Sequence, residues 1–283
     1  MRENSFGEIS TLHLTAAVFE KNGKKETYLK ELRFTAPYKV LSPFRRENGS
    51  IQVMILAVSA GILEGDTQMI EIETEPGAEM ECTSQSFEKI HKMKNGFAER
   101  KTQIRVADQS RLFYRPLPVI PFAESDFRNQ TEICLDGADS QMVYQEILSC
   151  GRSACGERFR YRRYHSRIQV KRAGKLIYRE NCRFDPEVYE METMGMFEGH
   201  SHLANLLLFG IQIDENKKMR VREILERDSQ VCGGFSMTAY GDMVIRMLGD
   251  RAQELEQICM EICSVISGCG LSEVSSGTEE DIR

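Results

Sequence analysis

The chain has 283 residues, 37 basic and 43 acidic side chains, a formal charge of −6 at pH 7, nine cysteines, five histidines and no tryptophan. That length suits one large domain or two small ones with a real core. The mild negative charge removes any global electrostatic drive toward DNA, RNA or an anionic membrane, so neither nucleic acid nor membrane is expected as a partner. Met1 to Glu8 lack the apolar core of a signal peptide, and the longest apolar stretch, Val53 to Leu63, is about half a bilayer span. The expected location is the cytoplasm. No two cysteines form a C-x-x-C, so most are expected to be free thiols packed as small apolar residues.

In chain order, the first two-thirds reads as strand. Ile70 to Glu75, Gln103 to Val106 and Arg167 to Lys171 alternate apolar and polar residues with period two, the mark of half-buried strands. Turn residues separate them at Glu75-Pro76-Gly77, Lys94-Asn95-Gly96, Asp136-Gly137 and Arg172-Ala173-Gly174. A weak repeat runs through this region. Aligning Ala78, Ser110 and Ser140 brings Met80, Leu112 and Met142 into coincidence, and likewise Cys82, Tyr114 and Tyr144. A fixed step of about thirty residues points to successive coils or layers, each burying its neighbour's apolar face.

Helix is expected late. His202 to Phe209 reads as a short helix, and Arg251 to Ile266 places Leu255, Ile258, Cys259, Ile262 and Ile266 at helical spacing, with Asp250 as a start cap and Gly268 as a stop. Residues 272–283 are rich in Ser, Gly and acid and are expected to be a disordered tail. The rest, 1–271, reads as a single domain. The fold class expected is mainly β: stacked strands in a β-helix-like arrangement with a few α-helices, one near the C-terminus.

No G-x-x-x-x-G-K-[ST], H-E-x-x-H or paired G-x-G-x-x-G is present, so GTP, if consumed, is bound by another protein. Ala57-Val58-Ser59-Ala60-Gly61 has the form of a nucleophile elbow, but the helix that must follow the Ser is replaced by Ile62-Leu63-Glu64-Gly65-Asp66. A hydrolase using Ser59 is kept as the alternative. Gly61 to Asp66 frames two carboxylates, Glu64 and Asp66, either as hard oxygen ligands or as acids capping a turn. Ser84 to Lys92, with Ser86 and Lys89, suits a polar channel, a partner contact or a solvated loop. Leu117 to Phe122 is a proline-stiffened crossover. Cys150 and Cys155, with Arg152 and Glu157 beside them, form either a borderline metal site or a turn pinned by an Arg–Glu pair. His200 and His202 are the one close histidine pair, open to a divalent metal or to packing.

Taken in order, Gly61-Ile62-Leu63-Glu64-Gly65-Asp66, Thr83 to Ile90, Leu117 to Phe122, and Glu146-Ile147 leading into Gly151-Arg152 and Gly156-Glu157-Arg158-Phe159 resemble the urease accessory protein UreD family, called UreH in some bacteria. The resemblance runs from about Phe34 to Ile266, and Ser84 to His91 and Met196 to His200 look most like the UreH branch. It implies a non-enzymatic, β-helix-like scaffold that binds apo-urease and UreF and, through UreF, the GTPase UreG. No cofactor is expected to be stably bound; nickel is in transit and GTP belongs to UreG. The resemblance also implies an internal polar tunnel for nickel, with Asp66 and Glu157 matching acids thought to matter for it. The wider set of residues proposed for the nickel path or partner contact is Glu64, Asp66, Ser86, Lys89, Glu146, Arg152 and Glu157, with His200, His202, Cys150 and Cys155 as metal candidates. Many family members carry a glycine pair before the Gly-Asp; here Ala60-Gly61 and Leu63-Glu64-Gly65-Asp66 make a bulkier, more acidic loop.

Overall fold

The computed structural model describes residues 9–21, 23–227 and 230–267. Its elements, in order, are β1 (Ser10–Lys21), β2 (Lys24–Phe34), β3 (Tyr38–Val40), β4 (Phe44–Arg45), β5 (Ile51–Ala57), β6 (Thr67–Thr74), β7 (Glu79–Ser84), β8 (Glu88–Ile90), β9 (Ala98–Val106), β10 (Arg111–Arg115), β11 (Val119–Pro121), β12 (Asp126–Leu135), β13 (Gln141–Ser149), β14 (Arg163–Arg172), β15 (Lys175–Phe184), β16 (His202–Phe209), α1 (Glu215–Arg227), β17 (Cys232–Met237), β18 (Met243–Gly249) and α2 (Ala252–Ser267).

From β5 to β14 the long strands fall alternately into two sheets. One sheet has the order β15-β14-β12-β9-β6-β1-β2, the other β17-β18-β16-β13-β10-β7-β5-β3. Strands β6, β9, β12 and β14 pair in parallel in the first, as do β5, β7, β10 and β13 in the second. Each coil of chain therefore lays one strand on each sheet, the β-helix-like stack expected from the repeat. The repeat is the register itself: Met80 faces Leu112, which faces Met142, and Cys82, Tyr114 and Tyr144 form the next row. The other sheet carries the matching row Ile72, Ile104, Ile133 and Val170. These rows meet between the sheets as the main apolar core. Met80, Leu112 and Met142 are fully buried there, and each such side chain contributes about 1.5–3 kcal/mol.

Antiparallel strands close both ends of the first sheet, β2 on β1 and β15 on β14, and β16, β18 and β17 extend the second. Helices α1 and α2 cover the outer face of the second sheet, where Val221, Ile224, Leu255 and Ile262 pack on Val143, Leu206 and Ile245. A third apolar cluster, including Ile62, Ile90, Phe127, Tyr164, Phe184 and Phe197, lies beside one end of the coils.

Two sequence expectations are corrected. His202 to Phe209 is strand β16, not a helix. Its Leu207 and Phe209 enter the core between the sheets while Leu206 and Leu208 pack under the helices, so both faces are apolar and no period shows. The second helix is α1, whose only buried residues are Val221, Ile224 and Leu225. The late helix at Ala252–Ser267 lies within one residue of the Arg251 to Ile266 segment picked out by its helical spacing. Gly268 and the expected tail, 272–283, lie outside the described residues.

Candidate functional site

The inward positions of a β stack should be apolar, and most are. One layer breaks the rule. Gln68 on β6 is in register with Arg100 on β9, Asn129 on β12, Ser166 on β14 and Cys182 on β15, one polar side chain per strand. On the facing sheet Glu146, Asn205 and Arg246 form a corresponding row on β13, β16 and β18. Thr102 and Thr131 add buried hydroxyls one row nearer the apolar core. A polar seam thus runs from strand to strand through the stack.

The seam is densely hydrogen-bonded, as burial requires. At its centre Glu146 accepts from Tyr164 Oη at 2.6 Å, Ser166 Oγ at 2.9 Å and Asn129 Nδ2 at 3.4 Å. Burial pushes the Glu146 carboxyl above the usual range, against the pull of these donors. A small cavity lies against Glu146, Tyr164, Cys182 and Asn205. Toward β15, Glu180 accepts from Tyr178 Oη at 2.7 Å, Asn205 Nδ2 at 3.2 Å and the Cys182 thiol at 2.9 Å, and pairs with Arg246. Burial, with Glu180 beside it, pushes the Cys182 thiol up to about 12. Toward β6, the Arg100 guanidinium is held by both carboxylate oxygens of Glu88 and by Gln68 Oε1. Tyr114 stacks on Tyr144 with centroids 5.8 Å apart between these two regions.

Arg100 and Gln68 also form the floor of a cleft that reaches the surface. Its walls include Tyr38, Ile55 and Tyr114, and its rim is Ser59 to Ile62 and Thr83 to Lys89. The Tyr38 hydroxyl has no hydrogen-bond partner, and burial raises its pKa to about 12. Ser59, Ser86 and Lys89 thus meet at one rim. Gly61 makes that rim possible: its φ is +141°, and a Cβ there would lie 2.4 Å from the Lys89 carbonyl oxygen.

The other predicted residues lie around this frame. Glu64 accepts the backbone N–H groups of Lys94, Asn95 and Gly96 at 2.7, 3.2 and 2.6 Å, and these donors hold its carboxyl below the usual range. Asp66 accepts from Leu63 N at 2.8 Å. Both acids cap turns. Arg152 and Glu157 pair, with the guanidinium 4.1 Å over the Phe122 ring and Glu157 accepting from Ala123 N at 3.2 Å. Cys150 is buried and Cys155 exposed. His200 Nδ1 lies 3.6 Å from an Asp250 oxygen; His202 Nδ1 is 2.8 Å from Ser201 Oγ, and burial lowers its pKa. Among the described residues no group of three or more His, Cys, Asp or Glu side chains is placed to hold a metal ion. Ser59 Oγ contacts only its own turn, at Gly61, and no helix follows it. His91, the imidazole at the same turn, is bonded through Nε2 to the Ala60 carbonyl at 2.9 Å.

Of the predicted site residues, only Glu146 lies in the seam itself. Gln68, Arg100, Asn129, Ser166, Glu180, Cys182, Asn205 and Arg246 were not singled out in the sequence. A signal existed: Gln68, Arg100, Asn129 and Ser166 each stand four residues before the aligned Ile72, Ile104, Ile133 and Val170.

The model of the UreD urease accessory protein family matches residues 11–275. The chain belongs to the UreD family. It is 38% identical over 265 residues to the urease accessory protein UreD of Acetivibrio thermocellus, covering 93% of this chain and 99% of that one. It is 35% identical over 234 residues to UreH of Helicobacter pylori strain HPAG1, covering 83% and 87%. To UreD of Flavobacterium johnsoniae it is 28% identical over 244 residues, covering 83% and 86%. As a UreD-family member the chain is an accessory protein of urease and not itself an enzyme, which removes the hydrolase alternative on Ser59. No helix among the described residues is long and apolar enough to cross a membrane.

Proposed function

We propose that this chain is the scaffold on which nickel is inserted into urease. In this reading it binds apo-urease and UreF, holds the GTPase UreG through UreF, and hands nickel toward the urease site along its own interior. Nickel is cargo and GTP stays with UreG.

The observation that carries the proposal is the polar seam centred on Glu146. A stack built for stability alone has no reason to bury Glu146, Arg100 and the Glu180 carboxylate, because replacing buried charged groups by apolar side chains is often neutral or stabilising. Carboxylate, amide and hydroxyl oxygens spaced along successive strands offer a divalent cation hard donors in ones and twos. Such sites bind weakly enough to release. The space beside Glu146 has room for about one water, a single exchangeable ligand next to the carboxylate. In the same reading the Ser59–Lys89 rim is one mouth of the path, and Glu64, Asp66, Arg152 and Glu157 hold the turns around it.

The test is co-purification. Tagged UreF and apo-urease, expressed together with this chain, should each retain it on the affinity resin. Failure of both to retain a folded chain would contradict the scaffold role.

A further inference from the structure

Between Arg158 and Arg183 the chain carries ten Arg and Lys residues and one acid, Glu180, in a protein whose overall charge is −6. Glu180 is turned inward onto Asn205 and Arg246. The outward positions of β14 and β15 are therefore free of carboxylate. Arg167 and Arg179 are exposed and Lys171 is half-buried. Arg167 reaches only the Gln130 amide, at 3.4 Å. Among the described residues neither Lys171 nor Arg179 has a carboxylate partner.

Register brings these charges together. Arg179 faces Gln169, and Arg167 faces Asn181 across the same strand pair. Arg179 is thus a diagonal neighbour of Arg167, about 7 Å away, and like charges at such spacing oppose the fold. No carboxylate on β14 or β15 neutralises them, and the nearest one on the face, Glu132 of β12, is a diagonal neighbour that bonds the Gln130 amide. The lattice continues onto β9 with Lys101, in the row of Gln130 and Arg167, where Glu99 at 3.8 Å partly neutralises it and marks the edge of the basic face. With strands about 4.8 Å apart, this face spans about 20 Å each way, roughly half of one partner's share of a standard interface.

We propose that the outer face of β14–β15 is a docking surface for an acidic patch on a folded protein. The choice over a polyanion follows from the neighbours. The amides Gln130, Gln169 and Asn181 separate the cations, and Glu132 sits in the same lattice, facing Gln169 and Gln103. A nucleic acid would extend its phosphates past the patch onto a chain of net charge −6, whereas an acidic protein patch confined to β14 and β15 meets cations and amide donors there and leaves Glu132 at its edge. Such a face acts chiefly on the association rate.

The surface rests on the urease-maturation proposal for its partner, so the probe is purified nickel-free urease apoprotein. Association of the full-length chain is followed from 50 to 500 mM NaCl, for wild type and for R167E/K171E. The wild-type rate should fall steeply with salt. The double variant should associate about tenfold more slowly at low salt, with little salt dependence and an unchanged circular dichroism spectrum. R167Q/K171Q should fall between them, which covers a misfolded charge reversal. Equal rates and salt slopes for folded variants and wild type would overturn the surface and leave the scaffold proposal standing. No binding by wild type would overturn both. A short DNA duplex and vesicles containing anionic lipid are run alongside; loss of duplex or vesicle binding in the double variant, with urease association unchanged, would also overturn it.

Discussion

Replacing Glu146 tests whether the buried seam serves stability or transport. The carboxylate accepts two short hydrogen bonds, from Tyr164 Oη and Ser166 Oγ, and a longer one from Asn129 Nδ2. In E146A both hydroxyls lose their acceptor inside the stack. Each stranded donor costs about 1–3 kcal/mol, so the variant should lose about 4 kcal/mol by urea denaturation. E146Q keeps an oxygen for Tyr164 and fills the same space, so it should stay within about 1 kcal/mol of wild type. The two also differ in pH dependence. Burial raises the Glu146 pKa, so the folded state holds its proton where the unfolded state has lost it. Its contribution to stability is therefore present below the ordinary carboxylate range and declines as pH rises through the shifted value. E146Q has no such group, and its stability relative to wild type should improve from pH 4 to pH 8. If the carboxylate also serves as a cation station, E146Q should fold, bind its partners and deliver less nickel to urease. An E146A as stable as wild type would refute the hydrogen-bond network, and full nickel loading by E146Q would refute the transport role.

Other consequences are open to direct measurement. E64A removes the acceptor of three backbone N–H groups, so hydrogen exchange at Lys94, Asn95 and Gly96 should accelerate. Because those donors depress the Glu64 pKa, wild-type protection there should hold at neutral pH and be lost only as pH falls below the ordinary carboxylate range. S59A should leave urease maturation unchanged and stability within about 0.5 kcal/mol, since Ser59 is exposed and bonds only to its own turn. Among the eight described thiols, Cys155 and Cys232 are exposed and should react first with a disulfide reagent. Cys82, Cys259 and Cys263 are buried, with the Cys263 thiol pushed up to about 12, and should react only on unfolding.

Much of the stack was legible because its repeat is carried by side chains that touch. Met80, Leu112 and Met142 align in the sequence because a coil has a fixed length and each buries the next. Strand β16 was misread because both its faces are buried, which erases the period that separates strand from helix. Helix α1 was missed because its apolar stripe is only three residues wide in a highly charged segment. The seam was harder still. Gln68, Arg100, Asn129 and Ser166 are polar residues in alternating strands, which singly look like solvent-facing positions; only the register shows that they face inward beside the apolar rows. Of the two readings that Cys150 to Glu157 offers in sequence, a metal site or a turn pinned by an Arg–Glu pair, the structure forms the Arg152–Glu157 pair.

The measurement that bears most directly on nickel insertion is the metal content of urease itself. Urease purified from cells lacking this chain, and from cells carrying wild type or E146Q at equal levels, is analysed for nickel per active site by mass spectrometry. Insertion through this scaffold predicts nearly nickel-free enzyme on deletion, full loading with wild type and an intermediate level with E146Q. Fully loaded, active urease in the deletion strain would contradict it.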